Sequence, residues 1–156
     1  MVLVSACLCG INCKYNGKNN LDTEVMRTLD KEKIIPICPE QLGGLTTPRQ
    51  PHEIKNGTGK DVLKGMARLI SINGDNSTDK FIRGAFETYN ICKNFNVSFA
   101  VLKSKSPSCG CGKIYDGTFS NTLIDGNGVT AQLLIDNNIK IINECDYRLR
   151  FNTDKL

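Results

Sequence analysis

The sequence predicts an α/β fold: a single three-layer domain with a mainly parallel sheet of about four core strands and helices on both faces. Two observations lead there. Strand-like and helix-like segments alternate along the chain, and the strand-like ones are continuous apolar runs rather than period-two patterns, as expected of strands buried on both faces. A third is length: 156 residues suit one domain with its own core and are too few for two. Residues 1–146 are read as that domain and 147–156 as a polar C-terminal tail.

The elements follow in order. Residues 2–6 form an apolar run that ends at Cys7 and reads as a buried strand. After a loop rich in Gly and Asn, Asn20 is placed to cap a helix carrying Leu21, Val25, Met26 and Leu29 at helical spacing. Lys33 to Cys38 is a second strand, with Pro36 suiting a strand end or an interruption. From Pro39 to Lys60, with Pro48 and Pro51 between them, no period is visible and a long Pro-containing loop is expected. Ala67 to Ile72 alternates weakly, as a small strand or hairpin ahead of Asn73-Gly74. Thr78 then caps the strongest helix, with Phe81, Ile82, Ala85, Phe86, Tyr89 and Cys92 on one face. Val97 to Leu102 is the third core strand, Ser104 to about Gly128 a loop, Val129 to Asn137 a short helix and Ile139 to Asn143 the fourth strand.

Composition excludes some classes of function. Hydrophobic and charged contents of 40% and 23% are those of a soluble globular protein. The 20 basic and 16 acidic residues leave a net +4 that is dispersed rather than clustered, so nucleic acid as a large partner, a thiolated tRNA included, finds no support. No apolar run approaches the roughly 20 residues of a membrane helix. The first residues lack a charged region and the length of a signal peptide, so a cytoplasmic location is expected.

The outlier is cysteine: eight in the chain. In a reducing compartment thiols stay free unless a metal or a reaction uses them, which leaves iron–sulfur, zinc and redox work as candidates. Cys7, Cys38, Cys109 and Cys145 each lie at or beyond the carboxy end of an expected parallel strand. In an open parallel sheet those ends share one edge, where ligands bind at the topological switch point. No C-x-x-C pair is present, so neither a zinc ribbon nor a thioredoxin-like site is indicated. The pairs Cys7/Cys9 and Cys109/Cys111 are C-x-C, spacing that lets one member face a site while the other packs. Single cysteines gathered by a fold suit an iron–sulfur cluster, whose irons take thiolates. A closed zinc tetrathiolate of Cys7, Cys13, Cys38 and Cys109 is the alternative, making the protein a structural or sensor domain. A third reading is sulfur transfer through a persulfide on an exposed thiol of lowered pKa.

Several motifs carry a resemblance. Ser5-Ala6-Cys7-Leu8-Cys9-Gly10, Lys14-Tyr15-Asn16-Gly17, Ile37-Cys38-Pro39-Glu40, Gly43-Gly44-Leu45-Thr46-Thr47-Pro48-Arg49 and Ser106-Pro107-Ser108-Cys109-Gly110 stand in order along nearly the whole chain. With Tyr115-Asp116-Gly117-Thr118-Phe119 and Gly126-Asn127-Gly128-Val129-Thr130-Ala131, they resemble a small bacterial family of thiouracil desulfidases, formerly a domain of unknown function. The resemblance implies an iron–sulfur-dependent desulfidase of α/β fold that converts a thiolated pyrimidine to the oxo base plus hydrosulfide without net redox change. It implies a [4Fe-4S] cluster held by Cys7, Cys38 and Cys109 with one iron left open, a catalytic carboxylate at Glu40 and a catalytic serine at Ser106. Cys13 stays outside that ligand set, and Cys9 and Cys111 depart from the family pattern.

Other residues keep two readings. Arg49, in a rigid loop, grips a carbonyl or anionic group of the substrate or forms a structural salt bridge. Ser108 is a candidate for substrate binding, although both serines flank Pro107 and equally shape a turn. Cys92 on its helix face and the lone His52 read as packing and loop residues. Lys103, Lys105 and Lys113 are candidates for a positive rim.

Overall fold

A computed structural model describes residues 1–153. Its centre is a four-stranded sheet of β1 (Val2–Ser5), β2 (Ile34–Ile37), β5 (Phe99–Leu102) and β8 (Lys140–Asn143), all parallel, in the order β2-β1-β5-β8. Pleating sends successive side chains to opposite faces. Leu3, Ala100 and Leu102 face one apolar cluster, with Cys92, Ala131 and Leu134 of α4 (Thr78–Asn94) and α5 (Val129–Asp136). Val4, Val101 and Ile142 face the other, with Val25 of α1 (Thr23–Thr28) and Tyr147 of α6 (Glu144–Thr153). Full burial of such side chains is worth roughly 1.5–3 kcal/mol each, so this alternation holds the three layers together. The expected α/β architecture is therefore present.

The chain moves outward from β1 in two directions. The β1–α1–β2 crossover goes one way with its helix on one face; later crossovers through α4 and α5 go the other way on the opposite face. The reversal lies between β1 and β5, and opens a crevice at their carboxy ends.

Several local expectations are corrected. Asp22, rather than Asn20, caps α1: its Oδ1 accepts from Val25 N at 3.0 Å, while Asn20 N is committed to Cys7 O. Leu21 is consequently outside the helix and exposed. Ser77 precedes α4 as its N-cap, and Thr78 Oγ1 accepts from Leu69 N instead. On α4 the buried residues are Phe81, Gly84, Ala85, Thr88 and Cys92, whereas Phe86 is exposed. The stretch expected as a long loop contains α2 (Pro39–Leu42), β3 (His52–Lys55) and the start of α3 (Gly59–Leu63). β3 pairs antiparallel with β4 (Arg68–Ser71) away from the main sheet, and its shortness left no period to read. Likewise the segment after Ser104 folds into a small hairpin, β6 (Lys113–Tyr115) and β7 (Leu123–Asp125). The expected tail is helical through Thr153 in α6, because Tyr147 is buried against Val4 and Val101; residues 154–156 lie outside the described residues. Among the described residues, no helix is long and apolar enough to cross a membrane.

Candidate active site

Backbone geometry at the sheet edge decides which side chains meet. After β1 the chain turns through a 3₁₀ helix, Ala6–Cys9, which buries Cys7, and Cys7 O accepts from Gly10 N and Asn20 N. That folds the segment carrying Cys13, Lys14 and Tyr15 back over the edge. After β2, Cys38 precedes α2, whose first position is Pro39, where a missing N–H costs nothing. Helix α2 lies directly on α4 because both contact points are glycine: a Cβ on Gly43 would stand 1.9 Å from Lys80 O, and one on Gly84 1.9 Å from Pro39 O. This backbone-on-backbone contact brings Glu40 down to the edge.

The Cys109 loop is bolted to the first turn of α5. Val129 N donates to Pro107 O, and Thr130 N and Ala131 N donate to Ser108 O, so loop carbonyls satisfy donors that no side chain caps. Inside the loop, Ser106 Oγ accepts from Ser108 N at 3.1 Å and from Cys109 N at 3.0 Å. The start of the loop is held by Glu144, a buried carboxylate that accepts from Lys103 Nζ at 2.6 Å, Ser104 N at 2.7 Å and Ser104 Oγ at 2.8 Å. Lys103 N donates to Ser5 Oγ at 2.9 Å across the β1/β5 crevice.

These segments enclose a cavity of about 490 Å³ whose wall includes Cys7, Cys13, Cys38, Cys109, Glu40, Arg49 and Ser106. Cys9, Cys111, Cys92 and Cys145 are not on it. The C-x-C pairs are therefore split, and Cys145, beyond edge strand β8, is exposed with Arg148 Nη2 at 3.5 Å from its sulfur. All eight cysteines are free thiols. Ser108 stands behind the wall: it is 1% exposed and its hydroxyl is 2.8 Å from Thr130 Oγ1. Arg49 lines the cavity and forms an ion pair. Its Nε donates to Glu40 Oε2 at 2.5 Å, Nη1 to Thr46 O and Thr47 Oγ1, and Nη2 to Cys13 O at 2.9 Å. His52 belongs to β3, with its ring nitrogens 2.8 Å from Gln50 O and 2.9 Å from Ser77 Oγ. Of the rim lysines, Lys103 and Lys105 line the cavity, and Lys113 pairs with Asp125 on the surface.

The thiols differ in electrostatics. Hydrogen bonding from the Cys13 thiol, supported by Asn20 and by the charge of Lys103, holds Cys7 below the usual thiol value despite burial. The same Cys13 hydrogen bond, with Arg49 contributing, brings Cys38 to about 7. Cys13, whose proton is shared toward both sulfurs, is pushed well up. Burial raises Cys109, against a hydrogen bond from Ser5. Cys7 and Cys38 thus give up their protons more readily than an ordinary thiol, and the thiolate is the form that ligates metal. Sequence reasoning missed Cys13 as the link between Cys7 and Cys38; its only signal was its place just before the Lys14–Gly17 turn. Glu144 as an organising group had no sequence signal beyond its type.

Soft sulfur donors on a shared wall fit an iron–sulfur cluster. Among the described residues, no three His, Cys, Asp or Glu side chains converge closely enough to hold a single metal ion.

Comparison with known proteins agrees. A solved structure of the [4Fe-4S]-dependent thiouracil desulfidase TudS superposes with a TM-score of 0.82 at 31% identity, covering 99% of this chain and 98% of that one. The uncharacterized protein YbbK of Bacillus subtilis is 46% identical over 144 residues, 92% of this chain and 95% of YbbK. The family model described as 2-thiouracil desulfurase matches residues 2–146. The chain therefore belongs, as an enzyme, to the 2-thiouracil desulfurase family.

Proposed function

We propose that this enzyme replaces the sulfur of a thiouracil-like pyrimidine by oxygen, releasing hydrosulfide with no net redox change, and that Cys7, Cys38 and Cys109 hold a [4Fe-4S] cluster for the purpose. The observation that carries the reading is that these three cysteines, distant in sequence, share one cavity wall with Glu40. When bound, such a cluster supplies a Lewis-acidic iron without a protein ligand, suited to a thiocarbonyl sulfur.

The remaining work falls to the protein's own groups. Arg49 engages Glu40 Oε2 and orients the carboxylate, and among the described residues Oε1 accepts no protein hydrogen bond. That oxygen takes a proton from water as the water attacks the thiocarbonyl carbon. A carbon–oxygen bond forms and the carbon–sulfur bond breaks; sulfur departs with its electron pair and takes the water's second proton, giving the oxo base and hydrosulfide while Glu40 holds the first. Ser106 Oγ already accepts two backbone N–H bonds, so its own hydrogen remains to be donated to the water or to a ring heteroatom of the substrate. Arg49 grips the substrate only through the pair it forms with Glu40. Ser108 acts from behind, tying the Cys109 loop to Thr130. The eight free cysteines fit work in a reducing, cytoplasmic compartment.

The zinc tetrathiolate alternative differs in taking Cys13 as a fourth ligand, so Cys13→Ser should be tolerated by a cluster enzyme and should destabilise a structural zinc domain. The test is purification without oxygen, followed by the visible spectrum and metal and sulfide analysis. About four irons and four sulfides per chain, with hydrosulfide release from 2-thiouracil, are expected. A colourless protein with stoichiometric zinc after anaerobic reconstitution would defeat the reading.

A further inference from the structure

The hairpin β6–β7 carries a second set of residues to the cavity. Tyr115, Phe119 and Asn121, at the end of β6 and in the turn beyond it, line its wall. The turn is stitched internally by Asp116, which accepts from Thr118 N at 3.0 Å and Thr118 Oγ1 at 2.6 Å. It is fastened externally by one group. Glu53 of β3 is 8% exposed, and its Oε2 accepts from Gly117 N at 2.9 Å and Phe119 N at 3.0 Å. Among the described residues Glu53 makes no ion pair.

Two features show that the turn is held tightly and not in its easiest conformation. A Cβ at Gly117, whose φ is +89°, would come 2.5 Å from Ile54 O, so only glycine lets the turn lie on β3. Phe119 adopts φ +58°, a left-handed conformation that a bulky side chain rarely takes, and does so where its ring borders the cavity. A buried charge spent on two backbone donors, and a strained phenylalanine, make sense together if the ring's position matters.

The geometry points to Phe119, with Tyr115, as the aromatic wall on which the planar pyrimidine stacks, and to Glu53 as the positioning residue that aims it. The inference rests on the desulfidase reading and extends it, assigning specificity for a flat aromatic ring to the hairpin and bond cleavage to the sheet edge. An aromatic face stacks on any base, so Phe119 selects ring shape while the polar groups opposite select substituents.

The test measures uracil affinity by calorimetry, and KM and kcat for 2-thiouracil, on anaerobically prepared holoenzyme. Phe119→Leu, which keeps apolar bulk but no π face, is expected to raise the uracil Kd and the 2-thiouracil KM by about fivefold or more. Its kcat should stay within about threefold, because ring binding is lost rather than transition-state contact. Phe119→Tyr, with its face retained, should stay within about twofold on all three. Glu53→Ala should raise Kd and KM as Phe119→Leu does, and Glu53→Gln, which keeps an acceptor oxygen for both N–H groups, should recover most of the loss. Unchanged uracil binding in Phe119→Leu, or a Glu53→Ala enzyme that loses kcat at constant Kd and KM, overturns the inference, as does natural enzyme that binds neither pyrimidine. Natural enzyme that binds uracil through Phe119 but frees no hydrosulfide from 2-thiouracil would keep the wall and defeat the desulfidase reading alone.

Discussion

Cys38 and Cys92 carry the same thiol into two regions of the molecule. Cys92 lies under α4 among Leu3, Ala100, Leu134 and Ile139, and burial raises it to about 11. Cys38 stands beyond β2 on the cavity wall, where the Cys13 hydrogen bond and Arg49 bring it to about 7 against burial. Cys92 is fully buried and Cys38 half-buried. The difference is that the sheet edge offers hydrogen-bond donors and a cation, whereas the layer under α4 offers only carbon. A cysteine in the first setting is ready to be a ligand; in the second it is a small hydrophobe.

The largest expected effect comes from Cys38→Ser: iron and sulfide per chain should fall sharply after anaerobic reconstitution, with no measurable hydrosulfide release. Retention of a full complement of both would break the distinction at its stronger end. Next is Glu40→Ala, expected to keep the cluster absorbance while lowering kcat by about 10²–10⁴, the usual worth of a general base. Loss of absorbance together with turnover would instead make Glu40 a support for the metal site. Cys92→Ser should leave both cluster and kcat alone and lower unfolding stability by about 1–3 kcal/mol in urea titrations, because a hydroxyl is placed in an apolar layer. A colourless Cys92→Ser protein that unfolds like the natural one would reverse the assignment.

The smallest effect is one of rate and needs no mutation. A lowered pKa means more thiolate at a given pH, so in cluster-free protein at pH 8 about nine-tenths of Cys38 but only about a thousandth of Cys92 is ionised. Iodoacetamide labelling followed by mass spectrometry should find Cys38 modified well before Cys92. Its rate should fall about tenfold between pH 8 and pH 6. Equal labelling of the two thiols would show that access rather than ionisation separates them.

Legibility followed the same division. The four apolar runs at residues 2–6, 33–38, 97–102 and 139–143 each contain a strand of the parallel sheet, because burial on both faces writes itself into composition. Of the short elements only β4 was legible, inside the weakly alternating stretch 67–72; β3, β6 and β7 are four, three and three residues long, too short to show a period. Thr78 was misplaced as a cap for a different reason: its hydroxyl is drawn to Leu69 N of β4, a contact that spacing along the chain does not announce.

By itself the sequence determined the layered α/β architecture, the family motifs and, through their places after strands, the candidacy of Cys7, Cys38, Cys109 and Cys145, which the family resemblance narrowed to the first three. Those properties reside in apolar runs and local order, which are one-dimensional. The tertiary structure alone decided that Arg49 pairs with Glu40, that Cys13 bridges Cys7 and Cys38, that Ser108 faces Thr130 rather than the cavity, and that Glu53 holds Phe119 at its edge. Each of these depends on where two distant segments come to rest. Close backbone approaches such as Gly43 against Gly84 set that position, and no spacing along the chain encodes the direction in which a side chain then points.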